Sequence, residues 1–86
     1  MPGVEDVRAG IARSNDKARD SIASLAQATH ALEEAQQMLA QATAGSTQDE
    51  INQVYGLYSE AIQSLSGLQG TIEAGITSND GYAARL

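Results

Sequence analysis

Few residues of this 86-residue chain could do chemistry: one imidazole, His30; two adjacent acid pairs, Glu33-Glu34 and Asp49-Glu50; and the stretch Gly67-Leu68-Gln69-Gly70. Metal ligation at His30 would need carboxylates, with Glu33 and Glu34 the nearest, because there is no second histidine and no cysteine. General acid–base catalysis would need a pocket that sets the two members of a carboxylate pair in different environments. A solvated helix face accounts for Glu33-Glu34, and a helix N-terminus accounts for Asp49-Glu50, where acids complement the backbone dipole. A lone helical histidine makes no Ser-His-Asp arrangement, and no Gly-x-Ser-x-Gly elbow presents a serine. The Gly67 and Gly70 pair lacks the rest of a phosphate-cradling pattern and reads as packing or bending within a helix. No catalytic, cofactor-binding or metal-ligating residue is therefore assigned. A ligand- or metal-binding subunit built on His30 and the carboxylates is kept as the reading from another class.

The elements that would position such residues follow from composition and spacing. With 42% hydrophobic residues, only 3% aromatic, and neither Trp nor Phe, the apolar content is mostly alanine and aliphatics, enough for one thin core. The absence of cysteine rules out a disulfide framework and leaves the redox compartment unread. A formal charge of -6 speaks against nucleic-acid or anionic-membrane partners, both of which require clustered Lys and Arg. The charges between Glu5 and Asp20 interrupt any leader, and no run of about 20 apolar residues exists to span a membrane. The expectation is a chain that is cytoplasmic as made, with export only by a leaderless route.

Apolar and small residues recur at alternating steps of three and four from Val4 through Val7, Ile11, Ser14, Ala18, Ser21, Leu25, Ala28, Leu32, Ala35 and Leu39 to Ala42. They recur again from Ile51 through Val54, Tyr58, Ala61, Leu65, Leu68 and Ile72 to Gly75, a repeat of the coiled-coil kind. Between the runs, Gly45 suits the left-handed residue that ends a helix, and Thr47 with Glu50 makes a capping box. A connection this short forces an antiparallel two-helix hairpin, all-α, with helices over roughly 4–43 and 48–77. Residues 1–86 then form one helical-hairpin domain. The turn signal Asn79-Asp80-Gly81 predicts a break, which leaves 78–86 as a docked or mobile tail. Matching large against small side chains predicts facing pairs whose numbers sum to 93, such as Leu32 with Ala61 and Ala28 with Leu65.

Because that seam is rich in Ala, Ser and Gly, and Gly56, Gly67, Gly70 and Gly75 each weaken the second helix, something must compensate. The candidate is an apolar strip beside the seam, Ile22, Thr29, Tyr55, Ile62 and Ile76, packing on a second copy to give a homodimeric four-helix bundle. A monomer covered by its own tail is the alternative.

Length, acidic balance and two antiparallel helices make the chain resemble the WXG100 or ESAT-6-like family in layout. The family's Trp-x-Gly turn is replaced here by Ala44-Gly45-Ser46, and Tyr55, Tyr58 and Tyr82 are followed four residues on by Ser59, Ile62 and Leu86 rather than by the export signal's acid. The stretches Leu32-Glu33-Glu34-Ala35-Gln36-Gln37 and Gly81-Tyr82-Ala83-Ala84-Arg85-Leu86 look similar to small uncharacterised actinobacterial helical proteins, some of which resemble the leading segments of polymorphic toxins. The resemblance implies a helical hairpin that dimerises and works in a secretion- or toxin-associated setting. The expected function is a non-enzymatic protein–protein interaction module with itself and a larger protein as partners. A structural scaffold bundle is the alternative.

Overall fold

The computed structural model describes residues 3–45 and 48–86. Two helices account for almost all of them: α1 (Val4–Ala42) and α2 (Asp49–Ala84), of 39 and 36 residues. Alanine, leucine, glutamine and glutamate, all strong helix formers, fill α1 from Leu25 onward. Its start is set by Gly3, whose backbone N–H donates to the Asp6 carboxylate at 3.3 Å, with Glu5 and Asp6 complementing the dipole in the first turn. At its end the Thr43 hydroxyl and N–H both donate to the Leu39 carbonyl, and Gly45 takes φ +84°, the left-handed conformation expected of it. The capping box expected at the start of α2 involves Thr47, which lies outside the described residues.

The helices fold back on each other as an antiparallel hairpin 65 Å long and 17 × 14 Å across. Its radius of gyration of 19.5 Å compares with about 12 Å for a compact chain of this length, so the molecule is a rod with one internal interface.

That interface follows the expected spacing but in a different phase. On α1 the positions withdrawn from solvent are Ile11, Ala18, Leu25, Leu32 and Leu39 in one row and Asn15, Ile22, Thr29, Gln36 and Thr43 in the other. On α2 they are Tyr58, Leu65, Ile72 and Asn79 with Ile62, Gln69, Ile76 and Ala83, while Val54 and Ala61, like Ala35 on α1, are half-buried at the margin of the seam. Ser14, Ser21, Ala28, Leu68 and Gly75, all expected in the seam, are exposed. Asn79 donates to Asn15 across the helices, fixing a register in which facing numbers sum to 94 rather than 93. The correction has a physical cause. Moving one of the two seam rows of each helix by one position brings in Ile22, Ile62 and Ile76 ahead of Ser21, Ala61 and Gly75, at the cost of Leu68 for Gln69. Three isoleucines remove more apolar area from water than one leucine.

The second correction concerns the tail. α2 runs unbroken through Asn79-Asp80-Gly81 to Ala84. Local propensity for a turn is overridden where Asn15 donates to Asp80 and accepts from Asn79, 65 and 64 residues along the chain, which ties this segment to α1 in helical geometry.

The interior glycines of α2 sit in open space: a methyl group at Gly56, Gly67, Gly70 or Gly75 would meet nothing within 4 Å. Gly67→Ala is thus expected to raise the unfolding free energy by up to about 1 kcal/mol, through helix propensity alone. Ile76, the apolar residue most withdrawn from solvent at 9% exposure, gives the opposite sign. Ile76→Ala should lower it by about 2 kcal/mol. Urea titration followed by far-ultraviolet circular dichroism measures both, and an indifferent Ile76→Ala would contradict the observed seam.

Candidate functional site

Two polar bridges cross the seam. Near the open end, Asn15 is 2% exposed and donates its amide Nδ2–H to Asp80 Oδ1 at 2.9 Å, while its Oδ1 accepts from Asn79 Nδ2 at 3.1 Å. Nearer the turn, Gln36 Nε2 donates to Ser59 Oγ at 2.8 Å and to the Tyr55 carbonyl at 3.2 Å. Buried amides are tolerated when their donors and acceptors are matched, and a matched pair punishes any slip of register. Asp80 takes its bond from this amide; the Arg8, Lys17 and Arg19 charges are held locally by Glu5, Asp20 and Asp16 at 3.8, 4.0 and 3.4 Å. These three ion pairs are exposed and at three-residue spacing, the kind worth a few tenths of a kcal/mol.

The chemistry-bearing residues of the sequence are placed apart from one another. His30 Nε2 lies 2.7 Å from Glu34 Oε1, one helical turn on, with both side chains largely exposed. Among the described residues, no three of His, Asp or Glu converge in a way that could hold a metal ion. Asp49 and Glu50 occupy the first turn of α2.

Of the five residues expected to meet a second hairpin, Ile22, Thr29 and Ile62 are half-buried and Ile76 is buried, all four within the intramolecular seam. Tyr55 is exposed, at the edge of an open cleft of about 320 Å³ beside the turn, lined also by Leu39, Ala40, Thr43, Ile51 and Asn52.

Rotation of the seam leaves the opposite flank uncovered, and this flank is the site that spacing in the sequence did not single out. Each seam residue of the row Asn15 to Thr43 is preceded by a small one: Ser14, Ser21, Ala28, Ala35, Ala42. On α2 the matching row is Val54, Ala61, Leu68, Gly75 and Tyr82. In an antiparallel pair these two rows lie on the same side, because the local two-fold relating the helices is normal to their common plane. Beside them run Ser24, Ala31 and Met38 on α1 and Leu57, Ser64, Thr71 and Ser78 on α2. No ionisable acid or base falls on this side between Lys17 and Met38 or between Val54 and Tyr82, since Arg19, Asp20, Glu33, Glu34, Glu60 and Glu73 all belong to the other flank and the back. Met38, Leu57 and Leu68 stand out of it at 64, 61 and 51% exposure, and Tyr82 is likewise exposed.

No family model, curated protein or solved structure matches the chain. The likeness to the WXG100 layout rests on the two-helix hairpin itself. No helix among the described residues is long and apolar enough to cross a membrane.

The polar bridge at Asn15 yields a direct test. Asn15→Ala removes the partner of Asn79 and Asp80, and should cost about 1 kcal/mol and loosen the last turns of α2. Amide hydrogen exchange should speed up over residues 77–84 and remain unchanged around Leu65.

Proposed function

We propose that the chain is a non-enzymatic helical interaction module that works by presenting one face of its hairpin to other helices, a second copy and a larger protein among them. The observation that carries this reading is the uncharged side bearing Met38, Leu57, Leu68 and Tyr82. Large apolar side chains set in a long surface free of charges are what a helix-on-helix contact requires, whereas a solvated surface alternates them with Lys and Glu. The hairpin adds rigidity, because the Asn15 and Gln36 bridges hold the two helices in one register and so keep both rows of the face in step. The imidazole and the acid pairs support this reading from the other side: His30 and Glu34 lie side by side on an open helix surface, and Asp49 and Glu50 stand in the first turn of α2. A secretion- or toxin-associated setting is supported by layout alone, and with it a leaderless route out of the cell in which it is made.

Proximity labelling in the native cells tests the reading. The protein is expected to label a reproducible set of neighbours, and Leu57→Asp, at an exposed position, should keep the hairpin folded while cutting that labelling by about thirtyfold, the equivalent of losing one anchor worth about 2 kcal/mol. An unchanged set of labelled proteins would remove this face from the function.

A further inference from the structure

We propose that the uncharged side is covered by a second copy of this chain, laid turn end against open end about a two-fold axis close to Leu68. The proposal rests on the reading of the chain as an interaction module and names the occupant of its face.

Charge sets the orientation. All five basic residues, Arg8, Arg13, Lys17, Arg19 and Arg85, lie in the half of the rod that holds the two chain ends. The half around the turn carries Glu33, Glu34, Asp49, Glu50 and Glu60 and no Lys or Arg, a formal charge of -5, whereas in the open half the five bases stand against Glu5, Asp6, Asp16, Asp20, Glu73 and Asp80, a formal charge of -1. Two copies laid with their turns together would bring five acids alongside five acids. The opposite overlay sets each acidic half beside the half that contains the arginines, and separates the acidic ends by most of the 65 Å length, many times the screening length of about 8 Å. The face carries the same signature at its margins, with Glu50 at the turn end and Lys17 and Arg85 at the other.

The overlay that charge selects fixes which side chains meet. Bringing Glu50 beside the partner's Arg85 makes facing α2 numbers sum to about 135, which puts Leu68 at the centre, next to its own copy. The same overlay sets Leu57 against the partner's Ser78, Val54 against the partner's Tyr82, and Ala61 against the partner's Gly75. Leu57 then meets a small side chain, Val54 meets an aromatic ring, and the Ala61 and Gly75 pair lets the two α2 backbones approach closely on either side of Leu68. The small row of α1 lets the remaining two backbones approach closely.

Area is sufficient. The face is 65 Å long and 17 Å wide, about 1,100 Å² in projection, against the roughly 800 Å² per partner of a stable interface. The accessible surface of 6215 Å² also exceeds by roughly 1,300 Å² what a compact chain of this mass exposes.

Sedimentation of the purified full chain and single-cysteine cross-linking test this together, the latter being clean because the protein has no cysteine of its own. At tens of micromolar the chain should sediment as two 9.0 kDa subunits, and Leu68→Asp should weaken self-association by at least about thirtyfold with helical circular dichroism unchanged. Under oxidation Leu68→Cys should form a covalent dimer, and Leu57→Cys should do so only when Ser78→Cys is added. A 9.0 kDa wild-type species would overturn the proposal, as would cross-linking of Leu68→Cys only in combination with Ala28→Cys, which marks the turns-together overlay. If the chain is a monomer and Leu57→Asp still abolishes labelling in cells, the second copy is excluded and the interaction reading stands. If labelling is also unaffected, both fall.

Discussion

A two-helix hairpin has a single interface, and every side chain taken into it is withdrawn from one flank and leaves the other bare. This constraint governs the rest of the molecule. The seam turns toward Ile22, Ile62 and Ile76, and the flank it turns away from keeps Leu57, Leu68, Met38 and Tyr82 in solvent. A sheet-backed or three-helix domain could bury both flanks at once; two rods side by side have no third element to do it.

Polar residues decide where along and around the helices this interface settles. Leucine and isoleucine tolerate a slip of one turn at modest cost, because neighbouring apolar positions are interchangeable to the hydrophobic effect, which is non-directional. An amide is not interchangeable. Asn15 has both a donor and an acceptor matched on α2, and Gln36 reaches Ser59 and the Tyr55 carbonyl, so a shifted register would strand these groups. The polar bridges lie near the two ends of the rod, with the isoleucines and leucines between them. The apolar middle supplies the attraction and the polar ends supply its registration.

The helices and the turn were legible because their signals are local: a repeat of three and four sustained over each run, and a glycine where the left-handed residue must sit. The phase of the seam was not, because neighbouring columns read alike. Ser21 and Ile22, Ala28 and Thr29, Ala61 and Ile62 each offer an acceptable seam residue at both positions. A rule that alternates large and small prefers one column, and the cross-helix amide bonds select the other. The continuation of α2 was hidden for the same reason. Asn79-Asp80-Gly81 reads as a turn to anything that sees only its neighbours, and the group that straightens it, Asn15, belongs to the other helix. The strip Ile22, Thr29, Tyr55, Ile62 and Ile76 shows the same ambiguity of column: four of its members line the seam itself rather than a flank beside it.

Thinness of the core and openness of the face are one fact seen from two sides. Ile76 and Asn15 alone among the described residues are buried, at 9 and 2% exposure, so most seam side chains retain contact with water and deliver only part of the 1.5–3 kcal/mol that a fully buried aliphatic provides. Covering the bare flank would do more than hide Leu57 and Leu68. It would close one edge of the seam, carrying half-buried residues such as Leu32 and Leu65 toward complete burial and strengthening the amide bridges by lowering the dielectric around them. In the proposed assembly, folding and association would therefore be coupled. In that assembly a surface charge introduced on the uncharged flank would leave the hairpin folded but remove the extra stability that association adds, whereas the same charge on the flank carrying Arg19, Glu33 and Glu73 would leave both as they were.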